Sequence, residues 1–340
     1  MARKRKLLVG LLSVVVGVSV WVGLNLSVLR AKYATQRLIS AKTDEERAQW
    51  ADQLVNYGTP GFDQLVAVVK SGEEAPRVAA FNTLNRHLDS LPNEDARAIA
   101  ISGTIVDAFA SSSDSGKRVI LQLMPVMLKR TGSFHADQCR AIVAEGLKLS
   151  DLETRLAAVR LAIHPEIRLN TELMPLLESR EPELRGATLF AVAVAIEGEP
   201  VLRDEELFRW LHDPDPNVRK VCHDALVGRD RSDVEITLGR RFTHPDARER
   251  LKLLLDLRYD DDVADPEPWL ERLSRDPEPA VRAGAARVMV ELANARKMPC
   301  PVWVTRVADV DAHPTVRFIA NYYRMQPTTP PNGVIPAIVP

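Results

Sequence analysis

Residues 213–222 read DPDPNVRKVC, and residues 276–285 read DPEPAVRAGA. Both spell Asp-Pro-acid-Pro-x-Val-Arg, and each part of that spelling fits a turn entering a helix. Proline fixes φ at about −65° and suits a first helical position, while an acidic residue before it accepts hydrogen bonds from the free amides of the first turn. After the arginine the apolar residues fall three and four apart, as in Val218, Val221, Cys222, Ala225 and Leu226, which gives a helix with one apolar face.

Looser versions of the same stretch recur along the chain. EEAPRVAAFNTL contains Arg77, SDSGKRVILQLM Arg118, DLETRLAAVRLA Arg155, REPELRGATLFAVA Arg185, HPDARERLKLLLDL Arg248 and AHPTVRFIANYYRM Arg317. With Arg219 and Arg282 the arginines form a series whose gaps run from 29 to 41 residues. A second candidate helix precedes several of them, as in NTELMPLLESR (170–180), DEELFRWLHD (204–213) and DPEPWLERLSRD (265–276). Paired amphipathic helices that cannot bury their faces alone must stack, and stacking at this period predicts an α-solenoid.

These stretches resemble HEAT repeats, of the HEAT-like kind also found in phycobilin lyases, over roughly residues 40–326. The match is strongest at Asp213–Leu226 and Asp276–Leu292. The resemblance implies a buried ladder of Asp and Arg between successive repeats, with Asp213, Arg219, Asp276 and Arg282 as members, and the arginine series extends the ladder to Arg77, Arg155, Arg185 and Arg317. A planar guanidinium suits such a place because it bonds several acceptors at once. Residues that recur at the repeat period hold repeats together, so ligand-binding residues are expected among those that vary on the second helices, which line the concave face of HEAT proteins. Lys220, His223 and Asp224 are candidates in one repeat, and Tyr322, Tyr323 and Arg324 in the last. Arg118 lacks the Pro-x-Val approach, and Arg248 sits one position off, so the register of those two repeats stays open.

Composition agrees with a folded helical chain: of 340 residues, 46% are apolar, 27% charged and only 5% aromatic. A net charge of −1 gives no basic field, so nucleic acid is not an expected partner. Cys139, Cys222 and Cys300 are too few and too widely spaced for a disulfide framework, and no Cys/His zinc spacing or HExxH occurs. His135 with Cys139, and Cys222 with His223, lack the further ligands or the base and orienting acid that metal or thiol chemistry needs. The acidic stretch YDDDVADPE (259–267) lacks the alternating pattern of a calcium loop and reads as a solvated connection. No cofactor, no metal and no catalytic constellation are therefore expected.

The N-terminus predicts a membrane anchor. Residues 7–29, LLVGLLSVVVGVSVWVGLNLSVL, carry no charge over a length that an α-helix needs to cross about 30 Å of hydrocarbon. Arg3, Lys4, Arg5 and Lys6 favour a cytoplasmic N-terminus with the solenoid on the outer side, although Arg30, Lys32, Arg37 and Lys42 leave the cytoplasmic alternative open. Small residues at Ser13 and Gly17, and at Ser19 and Gly23, suggest self-association through the anchor.

The expected architecture is all-α: a right-handed α-solenoid of about eight HEAT-like helix pairs preceded by a single transmembrane helix. Its parts are a basic segment at 1–6, the span at 7–29 in contact with lipid, a juxtamembrane linker at 30–42, the solenoid at 43–326 and a Pro-rich tail, PTTPPNGVIPAIVP, at 327–340. Thr43 and Glu46 stand in capping-box spacing where the solenoid begins. The expected function is a membrane-anchored scaffold that binds a protein partner or assembles a complex. The alternative is an enzyme or enzyme subunit of the HEAT-like lyase type, a reading that rests on architecture alone.

Overall fold

The computed structural model describes residues 26–193, 201–259, 263 and 265–325. Every regular element among them is helical, and they divide into two compact units, one ending at Val201 and the other beginning at Leu202.

The first unit opens with helix α1 (26–40), which buries Ala31, Ala34 and Leu38 at a helical spacing. It continues with α2 (Asp44–Val55), α3 (Thr59–Ser71), α4 (Glu74–Ser90), α5 (Ala96–Ala108), α6 (Asp114–Thr131), α7 (Ala136–Gly146), α8 (Leu152–Ala162), the single turn α9 (Asn170–Leu173) with the 3-10 stretch after it, and α10 (Pro182–Ala193). Local chemistry starts these helices. Thr43 accepts from the Glu46 amide at 3.2 Å, whereas the Glu46 carboxylate turns back to the Lys42 amide, also at 3.2 Å, so only the threonine half of the box forms. Asp151 accepts from the Thr154 amide at 2.8 Å in the same way. The second helices α4, α6, α8 and α10 pack on one another in chain order, as α3, α5 and α7 do beside them.

The second unit repeats the plan with α11 (Asp204–Leu207) and its 3-10 extension (Phe208–His212), α12 (Pro216–Val227), α13 (Asp233–Phe242), α14 (Ala247–Tyr259), α15 (Glu267–Leu273), α16 (Pro279–Ala295), α17 (Val302–Val310) and α18 (Pro314–Met325). Pro216 and Pro279 begin their helices behind Asp215 and Glu278, as the opening spelling requires. Ser232 and Glu235 close a full capping box on α13. Helix α14 packs on α16, and α16 on α18. Between α12 and α14 no comparable packing occurs, and the joint is made by α13 against α12 and against Phe208–His212. Gly239 permits that joint, because a Cβ there would lie 2.3 Å from the Phe208 ring.

The membrane-spanning helix and the location built on it are corrected. Among the described residues no helix is long and apolar enough to cross a membrane. Of the expected span at 7–29, residues 26–29 open α1, whose next turns carry Arg30, Lys32 and Arg37, and these charges interrupt an apolar run. The rest of the span, with the basic segment at 1–6, lies outside the described residues, as do the tail at 327–340 and residues 260–262 and 264 of the acidic stretch.

Candidate functional site

The repeat arginines of the second unit share one local geometry. Six residues before each stands a side chain that accepts the amide two positions on, and the backbone carbonyl of that residue accepts from the arginine. Asp276 Oδ1 accepts from the Glu278 amide at 2.8 Å, and Arg282 Nη1 donates to the carbonyls of Asp276 (2.8 Å) and Pro277 (3.0 Å). Asp213 and Arg219 repeat this at 2.8, 2.8 and 3.0 Å. Asp311 accepts from the His313 amide at 2.8 Å, and Arg317 donates to the Asp311 carbonyl. In the first unit Ser179 fills the acceptor place, and Arg185 donates to the Ser179 carbonyl at 2.9 Å. Arg77 donates to the Gly72 carbonyl, the near half of the same arrangement.

The rest of the guanidinium reaches the next repeat. Arg282 meets both oxygens of Asp311 at 2.8 and 3.0 Å, which holds the Asp311 carboxyl below its ordinary value. Arg250 meets both oxygens of Asp276 at 2.7 and 2.9 Å, with only 10% and 4% of the two side chains exposed. The carboxylate partner of Arg282 is therefore Asp311 of the following repeat, whereas Asp276 of its own repeat lends the carbonyl. In the first unit Arg155 reaches Glu181 at 3.0 Å, two positions beyond the serine. Hydrogen bonds from Ser179 and then Arg155 bring the Glu181 carboxyl down to about 2.

Arg250, not Arg248, fills the ladder place in α14, six residues after His244. Its Nη1 donates to the His244 carbonyl at 2.6 Å. His244 also performs the acceptor role of the missing aspartate, taking the Asp246 amide on Nδ1 at 3.1 Å. An imidazole nitrogen supplies the acceptor but no negative charge for Arg219. Asp246, placed as Glu181 is, accepts from the Arg248 amide at 2.9 Å, and Arg219 forms no ion pair among the described residues. His244 packs edge-on against His212, ring centroids 5.1 Å apart, and His212 Nε2 bonds the Arg240 carbonyl at 2.7 Å.

Beside this interrupted rung α12 and α13 enclose a groove of about 390 Å³ lined by Arg219, Lys220, His223, Asp233, Thr237 and Arg240, over the buried side chains of Leu211 and Ile236. Two of the expected binding residues, Lys220 and His223, meet here. Asp224 lies outside the lining, 3.7 Å from His223 Nδ1. Lys220 and Arg240 make no ion pair among the described residues. Sequence reasoning missed Arg240, which lies on a first helix and outside the repeat pattern, and missed Asp311, whose Asp-Ala-His-Pro spelling separates acid from proline.

Tyr322, Tyr323 and Arg324 sit apart from the groove on α18. Tyr322 is exposed and stacks on Phe318, the Tyr323 ring lies 5.2 Å below the Arg287 guanidinium, and Arg324 donates to Asn321 at 2.7 Å. The remaining chemical candidates have local partners. His135 bonds Gln138 and the Ile99 carbonyl, and buried Cys139 is pushed up to about 11 by burial. Cys222 donates to the Leu207 carbonyl at 3.0 Å, and burial pushes it up to about 12. No group of three or more potential metal ligands occurs among the described residues.

Each unit is thus a stack of helix pairs with the architecture of an α-solenoid, and the second carries a basic groove at the one joint where its second helices part. No protein-family model matches the chain, and no curated protein is similar to it. Among solved structures it is similar to YibA from E. coli, at 13% identity over 84% of this chain and 98% of that one, with a TM-score of 0.40. It is also similar to a structure of microtubule polymerases with arrays of tumor overexpressed gene (TOG) domains, described for tubulin recruitment and assembly. That match has 11% identity over 85% of this chain and 75% of that one, with a TM-score of 0.25.

Proposed function

We propose that the chain is a helix-repeat interaction scaffold, of the HEAT-like kind, that binds a protein partner and is not itself an enzyme. The observation that carries this reading is the α12/α13 groove: Arg250 and Arg282 are consumed by the aspartates of the repeats that follow them, whereas Arg219, Lys220 and Arg240 line one groove and form no ion pair among the described residues. Cations not engaged by a carboxylate of the fold are free to meet a ligand, and a rigid stack of helices presents them at fixed separations.

The test is crosslinking of the full-length protein in cells, followed by mass spectrometry, in parallel with a Lys220→Glu/Arg240→Glu variant. The expected result is a protein partner whose crosslinks fall on α12 and α13 and disappear in the variant. Retention of the same proteins at the same level by both forms, or turnover of a substrate by the purified chain alone, would overturn the reading.

A further inference from the structure

The ladder and the groove are two uses of one side chain. Arg250 and Arg282 spend their outer edge on Asp276 and Asp311. Arg219 is held by the same pair of carbonyls, at 2.8 and 3.0 Å through Nη1, but the place of its acid is taken by His244. Its Nε and Nη2 edge is therefore fixed in direction and meets no carboxylate among the described residues. A guanidinium pinned in this way loses little rotamer freedom when a carboxylate arrives and offers it a two-point contact.

The rest of the lining narrows the chemistry of that ligand. Lys220 on α12 and Arg240 on α13 add two cations, and His223 adds a donor or acceptor. Leu211 and Ile236 make an apolar floor. Asp233 stands at the start of α13, on the rim, and disfavours a compact dianion at that end. No Phe, Tyr or Trp lines the groove, so it lacks the large aromatic platforms on which successive nucleic-acid bases stack. A volume of about 390 Å³ holds a few side chains and not the face of a folded domain.

We propose that this groove binds a short acidic stretch of a protein partner, with aspartate or glutamate carboxylates on Arg219, Lys220 and Arg240 and an intervening apolar side chain on Leu211 and Ile236. The proposal rests on the scaffold reading above and adds the chemistry of what is bound. The interrupted rung is then a binding feature: an aspartate at 244 would satisfy Arg219 from within the fold and compete with the ligand.

The experiment is fluorescence anisotropy of a short labelled peptide of alternating glutamate and leucine, titrated with the full chain. The same sequence with glutamine for glutamate, and one with phosphoserine for glutamate, serve as the other arms. The glutamate peptide is expected to bind, and to weaken by roughly tenfold between about 0.05 and about 0.5 M salt. Lys220→Glu and Arg240→Glu are each expected to weaken it by about tenfold or more. Neither side chain makes an ion pair among the described residues, so both variants should melt like the parent, which separates lost binding from lost folding. His244→Asp is expected to weaken binding by roughly threefold while raising the melting temperature, whereas a merely structural role for the rung would move the melting temperature alone. Equal binding of the glutamine peptide, indifference to both charge reversals, or binding of the phosphoserine peptide only would each overturn the assignment. A partner crosslinked in cells to other helices, with the glutamate peptide ignored, would remove the groove assignment and leave the scaffold reading standing.

Discussion

At Arg250 and Arg282 a guanidinium closes on the aspartate of the following repeat, and α14, α16 and α18 lie packed in succession; at Arg219 it pairs with no acid among the described residues, and α12 and α14 do not pack together in that way. The same backbone geometry precedes all three arginines, so the difference lies in one side chain, His244 in place of an aspartate. A residue can keep its local role, here accepting an amide two positions on, while abandoning its role between repeats. Repeat proteins tolerate this because each repeat leans only on its neighbours, which confines the consequence of one lost contact to one joint.

Removing the acid from a closed rung should have the largest effect. Asp276→Ala leaves Arg250 buried without its carboxylate, a change that costs about 3–5 kcal/mol for a buried pair. His244→Ala removes one amide acceptor and a ring contact, worth about 1–2 kcal/mol. Denaturant unfolding followed by circular dichroism should therefore give a much lower midpoint for Asp276→Ala, and equal midpoints would show that the two joints do not differ as described. Gly239→Ala should rank next. It drives a methyl into the Phe208 ring at the joint where α13, and not direct packing of α12 on α14, makes the contact, and overpacking of this kind costs about 1–3 kcal/mol. A midpoint unchanged by Gly239→Ala would mean that Phe208 does not seat against α13.

The reverse change sharpens the comparison. His244→Asp rebuilds the spelling DPDA in front of α14 and gives Arg219 a carboxylate, which should raise stability by about 1 kcal/mol, the range of a charge-assisted hydrogen bond that is partly exposed. Greater resistance to denaturant together with weaker binding of the glutamate peptide is the expected outcome. A variant that is no more stable would show that Arg219 is not poised for a rung.

The repeats were legible in the sequence because their physical cause is local. Proline at a first helical position and an acid before it leave a spelling that survives at Asp213, Asp276 and, loosely, His313, and the arginine six residues past the acceptor can be counted. That count would have placed the ladder at Arg250, where the first arginine of HPDARER drew the reading to Arg248. The partners were not legible, since Arg250–Asp276 and Arg282–Asp311 lie 26 and 29 residues apart and depend on how neighbouring repeats stack. The groove was half legible. Lys220 and His223 could be chosen as residues that vary on a second helix, but Arg240 comes from a first helix, and only packing brings it to them. The apolar run at 7–29 is plain in the sequence, but its residues 7–25 lie outside the described residues, so the structure bears on residues 26–29 alone.

The smallest expected effect separates the two kinds of joint by pH. Burial above all, with help from His244 and Arg240 and against the bond to the Arg240 carbonyl, lowers His212 below its ordinary value of 6.5. The unfolded chain then takes up this proton before the folded one does, so stability is complete above 6.5 and falls as the pH drops towards the folded value. His87 in the first unit, lowered by burial and then Arg97, titrates in the same window. At a closed rung the sign of the charge is opposite but the direction in pH is the same: Arg282 holds Asp311 below 3.8, so the contribution of this pair is present above that value and is lost only as the pH falls through the folded one. Melting temperatures measured from neutral to acid pH should accordingly decline in two stages, the upper one smaller. His212→Gln keeps a donor for the Arg240 carbonyl and should shrink the upper stage without touching the lower, while His87 preserves part of it. If the upper stage is unchanged in that variant, His212 does not sense acid, and the two joints differ in packing alone.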